Sequence, residues 1–144
     1  MTDQEEKELS GFNPGQFQAV TSPLKQNILI SAGAGSGKTK TLSYKVYHLV
    51  AYEGIEPSSL LVLTFTNKAA FEMKERIIKQ FKEHQGPDSK QSAEIVSAHI
   101  QTFDSFSAYL AKKYASILQI PDNLTVADDN VLSAKKSLLR NDAS

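Results

Sequence analysis

Ala32-Gly33-Ala34-Gly35-Ser36-Gly37-Lys38-Thr39 lies between two segments of different periodicity. Before it, Asn27-Ile28-Leu29-Ile30-Ser31 is a short apolar run of strand type. After it, Leu42, Val46, Leu49 and Val50 fall on one helix face, and Gly54 stands where a C-terminal cap belongs. Strand, glycine-rich turn and helix in that order make a cradle for phosphate. Glycines let the backbone curl until successive N–H groups point at phosphate oxygens, and the helix N-terminus adds its partial positive charge. Lys38 is placed to reach the β- and γ-phosphates of a nucleoside triphosphate, and Thr39 to offer its hydroxyl to the Mg²⁺ bridging them. The pattern usually opens with glycine, so Ala32 is a departure from it.

Outward from this loop, Leu60-Leu61-Val62-Leu63-Thr64 is a second buried-strand candidate. The spacing then predicts a helix over residues 68–84 that buries Ala70, Met73, Ile77 and Phe81. Glu72–Arg76 and Glu75–Lys79 stand at i,i+4 on its outer face. Gly86-Pro87-Asp88-Ser89 marks a loop. Residues 94–100 form a third strand candidate, followed by a helix over 105–118 that Pro121 stops. Upstream, residues 13–20 have modest helical character, and a last amphipathic piece runs over 131–139. Strands alternating with helices predict an α/β fold, a parallel sheet flanked by helices. So few strands do not complete a doubly wound domain, and the chain reads as the first portion of a larger one.

The 16 basic and 16 acidic residues of the 144-residue chain cancel, so a nucleic-acid site must be built locally. The absence of cysteine excludes a disulfide framework, thiolate metal sites and a thiol nucleophile, and fits a reducing cytosol. Residues 1–10 are acidic and polar, unlike a secretory or mitochondrial leader, and no apolar run reaches membrane-spanning length. The expectation is a cytoplasmic location with no membrane partner. His48, His84 and His99 are too widely spaced for a metal site and read as surface or satisfied histidines.

Three further segments fall into line with the loop. Phe12-Asn13-Pro14-Gly15-Gln16-Phe17-Gln18-Ala19-Val20 precedes it, and Thr64-Phe65-Thr66-Asn67-Lys68-Ala69-Ala70 and Thr102-Phe103-Asp104-Ser105-Phe106 follow the later strand candidates. With these segments the chain, from about Phe12 to Leu118, resembles the amino-terminal motor domain of superfamily 1 DNA helicases of the UvrD/Rep/PcrA type. The resemblance implies a P-loop NTPase, RecA-like fold, incomplete here as the first part of the motor domain. It divides the chain into a polar lead-in over 1–10, a partial ATP-binding domain over 11–120, and the truncated start of a helical segment over 121–144.

In that family Gln16 corresponds to the adenine-reading glutamine, whose amide can pair with both N6 and N7. ATP and Mg²⁺ are the implied cofactors. Lys40 stands where arginine often lies next to the nucleotide; it keeps the charge but cannot stack as a planar guanidinium can. Thr64, Phe65, Thr66, Asn67 and Lys68 are implied contacts to single-stranded DNA. Phe65 can stack on a base while Thr66, Asn67 and a helix N-terminus grip phosphate; on residue types alone, Phe65 could equally be a core residue and Asn67 a helix cap. Thr102 and Phe103 are implied DNA contacts as well. Asp104 replaces the commoner histidine, which puts direct phosphate contact there in doubt and leaves a capping role at Ser105.

Hydrolysis also needs an acidic pair at the end of an apolar strand. Asp128-Asp129 is the available candidate, but it is read better as a cap for the helix near Val131. The leading expectation is the ATP-binding part of a helicase or translocase on single-stranded DNA, partnered by a second RecA-like domain of its own polypeptide. A helicase–nuclease subunit of the AddA/RecB type shares this motor. The alternatives are a non-catalytic nucleotide- or DNA-binding fragment and a small-molecule kinase, against which the Phe65 segment speaks.

Overall fold

Short polar side chains start most of the helices. The computed structural model describes residues 2–121 apart from Ala32, Ala34 and Ser36. Thr2 caps α1 (Asp3–Leu9), Asn13 caps α2 (Pro14–Thr21), and Thr66 caps α4 (Asn67–Gln85). Ser89 caps α5 (Lys90–Glu94), and Thr102 caps α6 (Phe103–Lys113). Each accepts a hydrogen bond from an N–H that the helix itself leaves without a partner. The helix α3 (Lys38–Ala51) is different: Gly37, at φ 85°, occupies its N-cap position and no side chain caps it. A short α7 (Ala115–Leu118) closes the described chain, with Gln119 at φ 54° ending it ahead of Pro121.

Two strands, β1 (Leu61–Thr64) and β2 (His99–Thr102), pair in parallel with Leu61 opposite His99 and Thr64 opposite Thr102. The crossover between them runs through α4 and α5. Val62, Met73, Ile77, Phe81 and Ile95 join Val20, Tyr44, Val46, Tyr47 and Val50 in one buried cluster. The expected inner stripe of α4, Ala70, Met73, Ile77 and Phe81, is the buried one.

Several expectations need correction. Residues 27–31 form no strand, and Ile28, Leu29 and Ile30 are exposed at 44%, 92% and 38%. Among the described residues no strand lies beside them to accept their backbone bonds or cover their side chains. Of the candidate over 94–100 only the end is strand, as β2 at His99–Thr102, because Ile95–Ser97 coils into a 3₁₀ turn that buries Ile95. On α3 the buried face carries Tyr44, Val46, Tyr47 and Val50, whereas Leu42 is exposed. The outer ion pairs of α4 are Lys68–Glu72 and Lys79–Glu83, each one turn away from those expected.

Residues 3–9 are a packed helix. Leu9 is buried, and Glu5 Oε1 lies 2.6 Å from His48 Nε2 on α3. Glu8 Oε2 accepts hydrogen bonds from Tyr44 Oη at 2.7 Å and Tyr52 Oη at 2.8 Å, and Glu8 Oε1 lies 3.2 Å from His84 Nδ1 of α4. His48 and His84 thus each have a carboxylate partner on α1. No helix among the described residues is long and apolar enough to cross a membrane. Asp128, Asp129 and the piece over 131–139 lie outside the described residues.

Candidate nucleotide and nucleic-acid site

The glycine loop delivers the chain to α3 through left-handed backbone. Gly35 and Gly37 have φ of 75° and 85°, the left-handed region open to glycine at little cost. No side chain caps α3, and the positive end of its dipole lies at the loop. Lys38 and Thr39 form the exposed first turn. Ala32, Ala34 and Ser36, expected in the same cradle, lie outside the described residues, while Gly33 is exposed.

Gln16 meets this loop from the other side. Asn13 and Gln16 make a reciprocal cap: Gln16 N donates to Asn13 Oδ1 at 2.9 Å, and Asn13 N donates to Gln16 Oε1 at 3.0 Å. That leaves the side-chain NH₂ directed at the loop, since a Cβ built on Gly37 would stand 2.8 Å from Gln16 Nε2. A cleft of about 530 Å³ opens here, lined by Asn13 and Gln16 of the α2 start, residues 26–31, and Lys38 and Thr41 of α3. Lys45 locks α2 against α3 by donating to the Val20 and Ser22 carbonyls at 2.7 and 2.6 Å. Burial pulls its ammonium below the usual lysine range, against the opposing pull of Glu53.

Lys40, expected beside the nucleotide, is not in this lining. Its ammonium lies over the Phe12 ring, 4.7 Å from the centroid. Phe12 is a feature that residue reading did not single out as a site residue. Its position just before the Asn13 cap, where an apolar residue commonly packs, was the available signal.

A second cluster is created by strand register. Thr64 pairs with Thr102, so the residues that follow them, Phe65 and Phe103, emerge side by side. Their ring centroids are 5.5 Å apart with planes at 33°, and they are exposed at 91% and 48%. Phe65 is therefore not a core residue. Each ring stands at the start of a helix: Thr66 Oγ1 accepts from Ala69 N at 3.1 Å, and Thr102 Oγ1 accepts from Ser105 N at 3.1 Å. The caps are thus Thr66 and Thr102, not Asn67 or Asp104, which occupy the first turns. Thr64 Oγ1 donates to the Thr66 carbonyl at 3.1 Å, holding the bend that turns Phe65 outward. Lys68 is exposed there, with Glu72 3.9 Å away. A pair of exposed aromatic faces beside two positive helix ends can stack bases and receive phosphates.

A family model described as the UvrD/REP helicase N-terminal domain matches residues 12–143. The chain is 41% identical over 113 residues to a protein named ATP-dependent DNA helicase UvrD1 from Mycobacterium leprae, covering 76% of this chain. It is 35% identical over 133 residues to DNA helicase II of Haemophilus influenzae, and 35% identical over 133 residues to ATP-dependent DNA helicase PcrA of Bacillus subtilis. Both of these cover 92% of this chain. The chain spans only 13%, 17% and 16% of the length of these three relatives.

Proposed function

The chain belongs to the UvrD/REP helicase N-terminal domain family, and on that premise we propose that it is the ATP-binding part of a motor that moves on single-stranded DNA. The observation that carries this reading is the exposed Phe65–Phe103 pair. A phosphate loop alone is shared by many unrelated enzymes, but two aromatic faces at paired strand ends have no use in transferring phosphate to a small molecule. They suit stacked bases of an open strand.

In this reading Gly33, Gly35, Gly37 and the uncapped start of α3 receive the triphosphate, with Ala32, Ala34 and Ser36 completing the loop. Lys38 neutralises charge at the β- and γ-phosphates, and Gln16 approaches the base. Thr39 supplies one hydroxyl to Mg²⁺. Among the described residues no cluster of acidic or histidine side chains could hold a metal by itself, and Mg²⁺ commonly takes few protein ligands beside phosphate and water. When bound, the ion screens the charge that builds between the two terminal phosphates. Thr64, Thr66, Asn67, Lys68 and Thr102 flank the aromatic pair along the DNA backbone.

The remainder of the polypeptide, including a second RecA-like domain, is the proposed partner through which γ-phosphate contacts would shift the aromatic pair along the strand. The open row of Ile28, Leu29 and Ile30 supports a missing neighbour. Because the chain is a small share of its relatives' length, by itself it acts as a passive, weak binder that hydrolyses ATP negligibly.

Two measurements test this. NMR titration with ATP and Mg²⁺ should shift the amides of residues 33–39, and Lys38→Ala should abolish the shifts. Fluorescence titration with an oligothymidine should weaken about tenfold for Phe65→Ala and again for Phe103→Ala, since each stacked base contributes about 1–3 kcal/mol. Oligothymidine affinity unaffected by both changes would remove the DNA reading and leave a nucleotide-binding domain.

A further inference from the structure

Phe12 packs against the buried core and also touches a lysine. Its ring meets Tyr44 edge-on at 4.9 Å and 62°, while the Lys40 ammonium lies over it at 4.7 Å. Tyr44 is itself buried, at 3% exposure, and its hydroxyl donates to Glu8 Oε2 at 2.7 Å. A chain of contacts therefore runs from α1 through Tyr44 and Phe12 to a lysine in the first turn of α3. That turn is the one the glycine loop enters. A free lysine there would lose considerable rotamer entropy on meeting an anion.

We propose that Phe12 is the positioning residue for Lys40, holding its ammonium at the loop end of α3 for an incoming purine nucleoside triphosphate. The inference rests on the nucleotide reading given above and adds to it a residue and a physical device. An arginine would be kept in plane by its own guanidinium and hydrogen-bond fork. Lysine has no such plane, and the quadrupole of the Phe12 ring supplies the missing orientation. Leucine at position 12 would fill similar space against Tyr44 without the quadrupole, whereas tyrosine would keep it.

The test compares Phe12→Leu with Phe12→Tyr in the 144-residue chain, by two readouts. The first is the acylation rate of Lys40 with an amine-reactive ester, read by peptide mass spectrometry against Lys79 as internal reference. Phe12→Leu should raise it severalfold and Phe12→Tyr should leave it unchanged. The second is ATP affinity by NMR titration, where Phe12→Leu should weaken binding about two- to fivefold, in line with an exposed cation–π contact. In a Lys40→Ala background the same Phe12→Leu change should have no further effect. Unchanged Lys40 acylation in Phe12→Leu, or an equal loss of ATP affinity with and without Lys40, overturns the role of Phe12 while leaving nucleotide binding intact. Absence of ATP binding in the unsubstituted chain would instead overturn the nucleotide reading itself.

Discussion

At Gly37 two constraints act on one residue. Its φ of 85° lies in the left-handed region, and a Cβ added there would stand 2.8 Å from Gln16 Nε2. Gly35 shares the first constraint at φ 75° but has nothing within 4 Å of an added Cβ. Gly35→Ala should therefore cost the backbone strain alone, about 1–2 kcal/mol, and Gly37→Ala somewhat more. Because the clashing atom ends a flexible side chain, the excess should vanish when Gln16→Ala is combined with Gly37→Ala. Urea unfolding of the variants measures both costs, and a Gly37→Ala chain as stable as the original would refute the strained geometry. The same comparison bears on function. Displacing Gln16 from the loop should weaken ATP binding in Gly37→Ala more than in Gly35→Ala, read in the same NMR titration. Gln16 also shows where residue-level reading stops: its type suggests a base-reading amide, but its Oε1 accepts from the Asn13 N–H in the cap of α2. Only the geometry shows that the NH₂ group is the one directed at the loop.

Among the elements, α1 is the one whose composition misleads most. The sequence Asp3-Gln4-Glu5-Glu6-Lys7-Glu8-Leu9 carries a single large apolar side chain, so apolar periodicity sees nothing to bury. Yet Glu5, Glu8 and Leu9, at i, i+3 and i+4, are its inner face, because His48, Tyr44, Tyr52 and His84 provide polar partners there. The opposite case is α4, whose Ala70, Met73, Ile77 and Phe81 stripe is legible at once since its partners are apolar. The bounds of β2 are hidden for a related reason: Ile95 and Val96 have strand-like branching, but only pairing with Leu61–Thr64 sets the register at His99–Thr102. That register is also what brings Phe65 to Phe103, so the aromatic residues were legible singly and the pair was not. The polar docking of α1 has a consequence for stability. Burial pushes the Glu8 carboxyl up, but hydrogen bonds from Tyr44, Gln4 and Tyr52 and the attraction of His84 outweigh it and hold it below the usual range. The same contact and its burial push the Tyr52 hydroxyl up to about 12. Glu8→Gln should cost roughly 1–2 kcal/mol at neutral pH, the difference between charged and neutral acceptors. Since the folded carboxyl is lowered relative to the unfolded one, this stabilisation is complete above the ordinary carboxylate range and is lost as pH falls. The gap in urea midpoint between the original chain and Glu8→Gln should hold down to about pH 5 and close below it. A gap that widened in acid would contradict the lowered carboxyl, and Glu6→Gln, on the exposed side of α1, is the control.

For the whole molecule the exposed apolar run of Ile28, Leu29 and Ile30 bears on how the sheet is extended. Among the described residues β1 and β2 alone make the sheet, and the apolar run expected to join them forms no strand. Ile28, Leu29 and Ile30 line one wall of the cleft beside Lys38, so their exposure is next to the proposed nucleotide site rather than remote from it. In the proposed motor, strands supplied by the rest of the polypeptide would pair with this run and bury Leu29, which is 92% exposed here. Completion of the sheet and completion of the catalytic site would then be a single event, because the run leads directly into the phosphate loop. Leu29→Asp separates the two states of the molecule. In the 144-residue chain the change touches an exposed side chain, so stability should move by no more than about 0.5 kcal/mol. In a polypeptide that continues as the helicase relatives do, the same substitution should cost at least about 2–3 kcal/mol, the worth of one buried leucine, with the added cost of a buried carboxylate. It should also lower DNA-stimulated ATP turnover there. Equal and small effects of Leu29→Asp in both contexts would show that the run stays uncovered, and the sheet would then have to be completed elsewhere along β1 or β2.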